Sequence, residues 1–206
     1  KIKLEEKCQY DVFNCYIEIN KPSLEDCIGA IIYRYKKILF FPLLLFDGKH
    51  MIEDIKEKIN YVSKKFEKKI HLVSKVSLVE EVLPNIRDVI TKSKDKEYDT
   101  LITSCSFSKN KTVVDQLQNY TNKLSNSLDI KNKIFHFVGD EGVVLSELKK
   151  LRIKNIILHP IFFFNGFLFK KNVRYFEKYF QIMKILPISH YDTIIQIISE
   201  KLFRNI

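Results

Sequence analysis

Phe40-Phe41-Pro42-Leu43-Leu44-Leu45-Phe46-Asp47-Gly48 returns 118 positions later as Leu158-His159-Pro160-Ile161-Phe162-Phe163-Phe164-Asn165-Gly166. Pro42 aligns with Pro160, Asp47 with Asn165 and Gly48 with Gly166. Each copy begins in an apolar run and ends in an Asx-Gly turn that precedes a segment of helical period. The unit reads as strand, proline, apolar tail, turn and helix, used twice in register. It divides the chain into two similar subdomains, residues 1–94 and 95–206, joined by the polar stretch Lys92–Glu97.

Outward from these copies, strand and helix alternate. Strands are predicted at Tyr10–Ile19, Lys37–Leu43, Lys69–Ser74, Tyr98–Cys105, Lys133–Val138, Asn155–His159 and Met183–Leu186. Helices are predicted at Ser23–Tyr35, Ile52–Phe66, Leu78–Thr91, Lys111–Ser127, Val144–Leu151, Phe169–Phe180 and Asp192–Phe203. The strands are continuous apolar runs, as required when both faces of a sheet are covered. The fold class is therefore α/β, with two parallel sheets flanked by helices and related by a pseudo-twofold. Ligands of such sheets bind beyond the carboxyl ends of the strands. The second half opens with a strand and helix, Tyr98–Cys105 and Lys111–Ser127, that the first half lacks. The expectation is that about one βα unit precedes Lys1.

The 206 residues are 46% hydrophobic and 29% charged, which excludes a disordered chain. The longest apolar run, Ile38 to Phe46, is about half the length of a membrane span, so no membrane partner is expected. The formal charge is +10, but it comes from 30 Lys and only 5 Arg. Arg is the residue of bidentate base and phosphate readout, and many Lys alternate with acidic residues as on a solvated helix face. An anionic small molecule is a better partner than nucleic acid. Neither GxGxxG nor GxxxxGK[ST] is present, which disfavours an unrelated nucleotide-binding domain. Cys8, Cys15, Cys27 and Cys105 include no CxxC pair, so a structural zinc site is not expected. Free thiols in a soluble, reducing compartment, the cytoplasm or a plastid stroma, are.

Two stretches carry a family likeness. Tyr16-Ile17-Glu18-Ile19-Asn20-Lys21-Pro22-Ser23-Leu24 resembles the F-L-E-x-A-x-P-S-L segment of the class II tetrapyrrole chelatases. Phe41-Pro42-Leu43-Leu44-Leu45-Phe46-Asp47-Gly48-Lys49-His50-Met51-Ile52-Glu53-Asp54-Ile55 resembles their P-x-F-L-x-x-G-x-H-x-x-x-D-I segment. The second half, through Pro160, Gly166 and Pro187-Ile188-Ser189-His190, is similar to the degenerate C-terminal half of the long, two-repeat sirohydrochlorin cobalto- and ferrochelatases. The resemblance implies two chelatase-like, flavodoxin-like subdomains. It implies insertion of ferrous iron or cobalt into sirohydrochlorin for siroheme or cobalamin, with the metal as substrate and no prosthetic group. It makes His50 the metal-binding histidine, and Glu18 the acidic residue that faces the metal and helps take the pyrrole protons.

The family's other histidine lies in a G-H-G-S turn that this chain lacks. Its counterpart in the second half, Ser104-Cys105-Ser106-Phe107-Ser108, has no histidine, and Leu168 stands where the first half has His50. The chemistry is thus expected in the first half, with a G-H-G-S-like turn upstream of Lys1. The alternative is a non-catalytic tetrapyrrole- or metal-binding module of the same fold.

Metal insertion needs a neutral imidazole or carboxylate to deliver a borderline divalent ion. It needs a base for two pyrrole protons, and cations for the many carboxylates of the macrocycle. Lys49, Lys170, Lys171 and Arg174, just past the two Asx-Gly turns, suit the last role. Leu45, Phe46, Phe163 and Phe164 suit packing on a flat ring, although the Phe162–Phe164 run also reads as sheet core. His136 and His159 read as hydrogen-bonded core residues, and His190 as part of the start of the last helix. His71 has no ligand spacing with the others. Two repeats in one chain point to a monomer that forms its own internal pseudo-dimer.

Overall fold

The computed structural model describes residues 5–6, 10–16, 20–67, 70–73, 78–93 and 98–203, without the side chains of residues 49–52 and 203. The chain packs as two units, one of residues 1–76 with 195–206 and the other of residues 77–194.

The second unit holds a four-stranded parallel sheet. Its strands are β3 (Thr100–Cys105), β4 (Asn132–Phe137), β5 (Asn155–Pro160) and β6 (Gln181–Lys184), in the order β4-β3-β5-β6. In sequence order this is 2-1-3-4, the start of the flavodoxin-like winding, whose crevice lies between its first and third strands. Here those are β3 and β5. β3 is buried along its whole length, as its apolar run predicts for a strand covered on both faces.

One face carries a core of Ile102, Ile156 and Leu158 from the strands with Val144, Leu148, Phe169, Val173 and Phe176. The last five come from α5 (Glu141–Lys150) and α6 (Phe167–Phe176). Each fully buried side chain of this size is worth about 1.5–3 kcal/mol. On the other face α4 (Lys111–Ser127) buries Val113, Leu117, Tyr120 and Leu124, residues at helical spacing. Asn110 caps α4 by accepting from Thr112 N at 2.9 Å, which satisfies one of the helix's free amides. α4 has the span predicted for it. β6 begins two residues early, because its pairing continues to the foot of β5, where Gln181 N donates to Lys154 O at 3.1 Å.

The first unit contains a two-stranded parallel sheet of β1 (Ile38–Phe40) and β2 (Ile70–Leu72). α1 (Leu24–Ile31) and α2 (Lys49–Lys65) cover it with Leu24, Ile28, Ile32, Ile55, Ile59 and Val62. α1 starts in a reciprocal capping box. Ser23 Oγ accepts from Asp26 N at 3.1 Å, and Ser23 N donates to Asp26 Oδ2 at 3.4 Å. Gly29 brings α1 close to Phe66, since a Cβ there would lie 3.3 Å from Phe66 Cζ.

The predicted strand at Tyr10–Ile19 needs correction. Residues 10–16 form no strand and make only an isolated parallel bridge, Tyr16 to Ser23; residues 17–19 lie outside the described residues. Tyr10, Phe13 and Tyr16 are exposed. β-branched and aromatic content favours a strand only where a neighbouring strand pairs with it. Residues 10–16 have no such neighbour among the described residues.

The 118-residue register is visible in three dimensions. β1 falls on the centre of β5, and α2 and α6 both begin one residue after an extended glycine N-cap, Gly48 and Gly166. Phe40 O accepts from Val73 N, and Leu158 O from Ile185 N, both at 2.9 Å. Leu44 and Phe162 hold equivalent positions, and each packs against the core of its own unit.

The last helices are exchanged relative to the repeat. α3 (Val79–Ser93), which closes the first half in sequence, packs in the second unit, where Glu80 accepts from Lys123 at 2.5 Å. Residues 195–206, including most of α7 (Thr193–Phe203), pack in the first.

Candidate functional site

His50 and Lys49 open α2 directly after the Asp47-Gly48 turn. This places them just past the tail that leaves the carboxyl end of β1, where parallel sheets bind ligands. Their side chains, and the whole of Glu18, lie outside the described residues. Among the described residues no three His, Cys, Asp or Glu side chains converge as a metal-binding group.

The apolar tails serve different ends. Leu45, expected to pack on a ring, is buried, and Phe46 is half-buried. The tail between β1 and α2 turns Leu44 and Leu45 inward, while Leu43 is exposed, because apolar bulk beside a small two-stranded sheet is needed for the core. In the second unit Phe162 packs on the core, Phe163 is half-buried and Phe164 is 64% exposed. Phe167, the first residue of α6, is 78% exposed.

Lys170, Lys171 and Arg174 lie together on the outer face of α6, all exposed. Among the described residues none of them makes an ion pair. Like charges at this spacing on a helix repel by a few tenths of a kcal/mol. Lys170 and Arg174 also line a shallow depression of about 210 Å³ beyond the carboxyl ends of β5 and β6, with Asn165, Lys184, Pro187 and His190. Nothing in the sequence joins Lys184 and His190 to this group. Their proximity follows from β6 pairing beside β5 and from the turn Ile188–His190, which has no sequence signature. Lys184 is partly neutralised by Glu177 at 3.7 Å.

The buried face of α6 explains how that cationic face is held. Asn172 is fully buried. Its Oδ1 accepts from Ser104 Oγ of β3 at 3.0 Å. Its Nδ2 donates to Glu141 Oε1 at 3.2 Å and points to His136 Nε2 at 3.4 Å. His136 Nδ1 donates to Phe137 O at 2.9 Å, which leaves Nε2 as the acceptor. Glu141 Oε2 accepts from Gly139 N at 2.9 Å, in a turn where Gly139 has φ +125°, a conformation that suits glycine. Burial lowers the His136 pKa below the ordinary imidazole value, against smaller opposing effects of Phe137 O, Glu141 and Asp140. The ring is therefore neutral at neutral pH, as its acceptor role requires.

A second buried polar pair lies on the other face of the sheet. Tyr120 Oη and His159 Nε2 are 3.0 Å apart. Burial pushes the His159 pKa down to about 3. Both histidines are hydrogen-bonded core residues, as the sequence suggests.

The winding defines a flavodoxin-like α/β protein, with charged and aromatic groups gathered at the carboxyl ends of β5 and β6. Residues 3–102 match the family model CbiX. No curated protein matches the sequence significantly.

The fold is similar to that of SirB from Bacillus subtilis with Fe3+, at a TM-score of 0.74 and 19% identity, over 99% of this chain and 87% of that one. It is also similar to the sirohydrochlorin chelatase SirB from Bacillus subtilis subspecies spizizenii in complex with cobalt, at 0.68 and 16%, over 99% and 85%. A third similar structure is CbiX, the terminal enzyme for biosynthesis of siroheme in denitrifying bacteria, at 0.61 and 13%, over 86% and 80%.

Proposed function

We propose that this chain is a sirohydrochlorin chelatase that inserts a divalent metal, ferrous iron or cobalt, into a tetrapyrrole for siroheme or cobalamin synthesis. The observation that carries the reading is the Asp47-Gly48-Lys49-His50 turn opening α2, inside the segment that matches the CbiX family. The likeness to folds solved with Fe3+ and with cobalt supports it.

In this reading His50 is the metal ligand. Glu18 shares the metal and receives protons from the pyrrole nitrogens. Insertion of one M2+ releases two pyrrole protons, so a base next to the incoming ion lowers the barrier to both changes. Lys49, Lys170, Lys171 and Arg174 bind carboxylates of the macrocycle, and the +10 charge steers that polyanion to the protein. The halves 1–94 and 95–206 act as two chelatase-like repeats in one monomer. The metal is substrate, and the free state of Cys15, Cys27 and Cys105 suits a reducing compartment, the cytoplasm or a plastid stroma.

The test is an anaerobic absorbance assay of the chain with sirohydrochlorin and Co2+ or Fe2+. Growth of the metallated spectrum in proportion to protein supports the proposal. A rate equal to the protein-free control, with saturable binding of the macrocycle, would make the chain a binding module instead.

A further inference from the structure

Cys15 and Cys27 meet in the first unit, although twelve positions separate them and neither belongs to a CxxC pair. Cys27 is buried on the α1 face that also carries Leu24, Ile28 and Ile31. Cys15 packs against the same core, which contains Leu24 and Ile28. The segment is held there by the Tyr16–Ser23 bridge, in which Tyr16 N donates to Pro22 O at 3.0 Å. The two thiols lie near enough for each to influence the other's titration. Cys105, by contrast, is buried in the second unit and its thiol hydrogen-bonds to Ser106 O.

We propose that Cys15 and Cys27 form an intramolecular disulfide under oxidising conditions, a clasp that ties residues 10–16 to α1. The oxidant is a small-molecule disulfide of the glutathione class. One thiolate of the pair attacks a glutathione sulfur and releases one glutathione thiolate. The second thiol then displaces the other glutathione from the mixed disulfide. Two cysteine sulfurs are oxidised, two glutathione sulfurs are reduced, and the two thiol protons leave with the two glutathiones.

Burial pushes the Cys15 thiol up to about 11 and also raises that of Cys27. The thiolate is the nucleophile, so closure is slow at neutral pH. Closure should quicken by about tenfold per pH unit between 7 and 9 as the thiolate fraction rises.

The test uses the full chain carrying Cys8→Ser, which removes the one other cysteine of the first unit. The protein is incubated with glutathione disulfide at pH 7, 8 and 9, alkylated, and cleaved after glutamate. Cys15 then lies in residues 7–18 and Cys27 in residues 26–53. The expected product is a linked pair of these peptides, lighter by two hydrogens than their sum and separated by reduction. It should form faster at higher pH and be absent from Cys8→Ser/Cys27→Ala. Cys105 should remain alkylated throughout. Alkylation of both Cys15 and Cys27 at pH 9 after prolonged oxidation would overturn the proposal. So would a linkage of either residue to Cys105 or to a second chain.

Discussion

Asn172 stands 118 positions after Asp54, the same step that separates Gly166 from Gly48, yet Asn172 is fully buried and Asp54 is exposed. The difference follows from the strands around them. In the second unit β3 lies beside β5 and supplies Ser104 to Asn172. In the first, the described strands are β1 and β2, and no strand on the far side of β1 is described.

Asn172 should therefore be a strong stability determinant. Asn172→Ala strips Ser104 and Glu141 of a buried partner, and an unsatisfied buried polar group costs about 1–3 kcal/mol. Thermal unfolding should begin roughly 2–12 °C lower for a chain of this size. A shift within a degree of wild type would show the network to be dispensable.

The buried histidines predict a pH dependence of stability. The folded pKa of His159, about 3 against an ordinary 6.5, means that the unfolded chain takes up the proton first on acidification. The contribution is full above about pH 6.5 and is lost as pH falls toward 3, with a slope of up to about 1.4 kcal/mol per pH unit. His136, also lowered, adds to the same trend. Melting curves at pH 7.5 and 5 should show the fall in the wild type and a smaller one in the Tyr120→Phe/His159→Phe pair. An equal fall in both would assign the acid sensitivity elsewhere.

The exposed cations of α6 should affect substrate binding and leave folding alone. Lys170→Glu and Arg174→Glu should each raise KM for sirohydrochlorin on the order of tenfold, a surface charge reversal acting on a polyanion, while kcat and Tm stay near wild type. The effect should shrink as salt is added. Unchanged KM at low salt would place the macrocycle elsewhere.

Exchange of the last helices predicts how the chain can be divided. Val79, Val82, Ile86 and Ile90 of α3 are completely buried in the second unit. Exposing four such side chains costs about as much as a domain's whole stability. A fragment of residues 95–206, cut at the sequence repeat, should lack a cooperative melting transition that a fragment beginning at residue 77 retains. Equal melting of both would show that α3 adds little.

The repeat made the helix starts after Gly48 and Gly166 and the core role of Phe162 legible, because a duplicated turn repeats the backbone that surrounds it. Extending the same register six residues past Gly166 to Asn172 would have pointed to the buried network; the aligned pair Asp54-Ile55 and Asn172-Val173 is its signal. The grouping of Lys184 and His190 with Lys170 and Arg174 was not legible, since it depends on which strand pairs beside β5. Tyr10–Ile19 misled because local β propensity says nothing about whether a partner strand is present. The Cys15–Cys27 contact lies across a turn that has no pattern of cysteine spacing.

The central claim rests on His50 and is tested most directly by His50→Ala in the full chain, assayed for anaerobic metal insertion beside a melting curve. A residue that delivers the metal acts on the reacting atoms, and its loss should lower the rate by at least about 100-fold, on the scale of removing one essential acid–base or charge-stabilising group. As an N-terminal helix residue it should leave Tm within a few degrees of wild type. That combination is what the account predicts. Insertion of metal by the variant at the wild-type rate would contradict it.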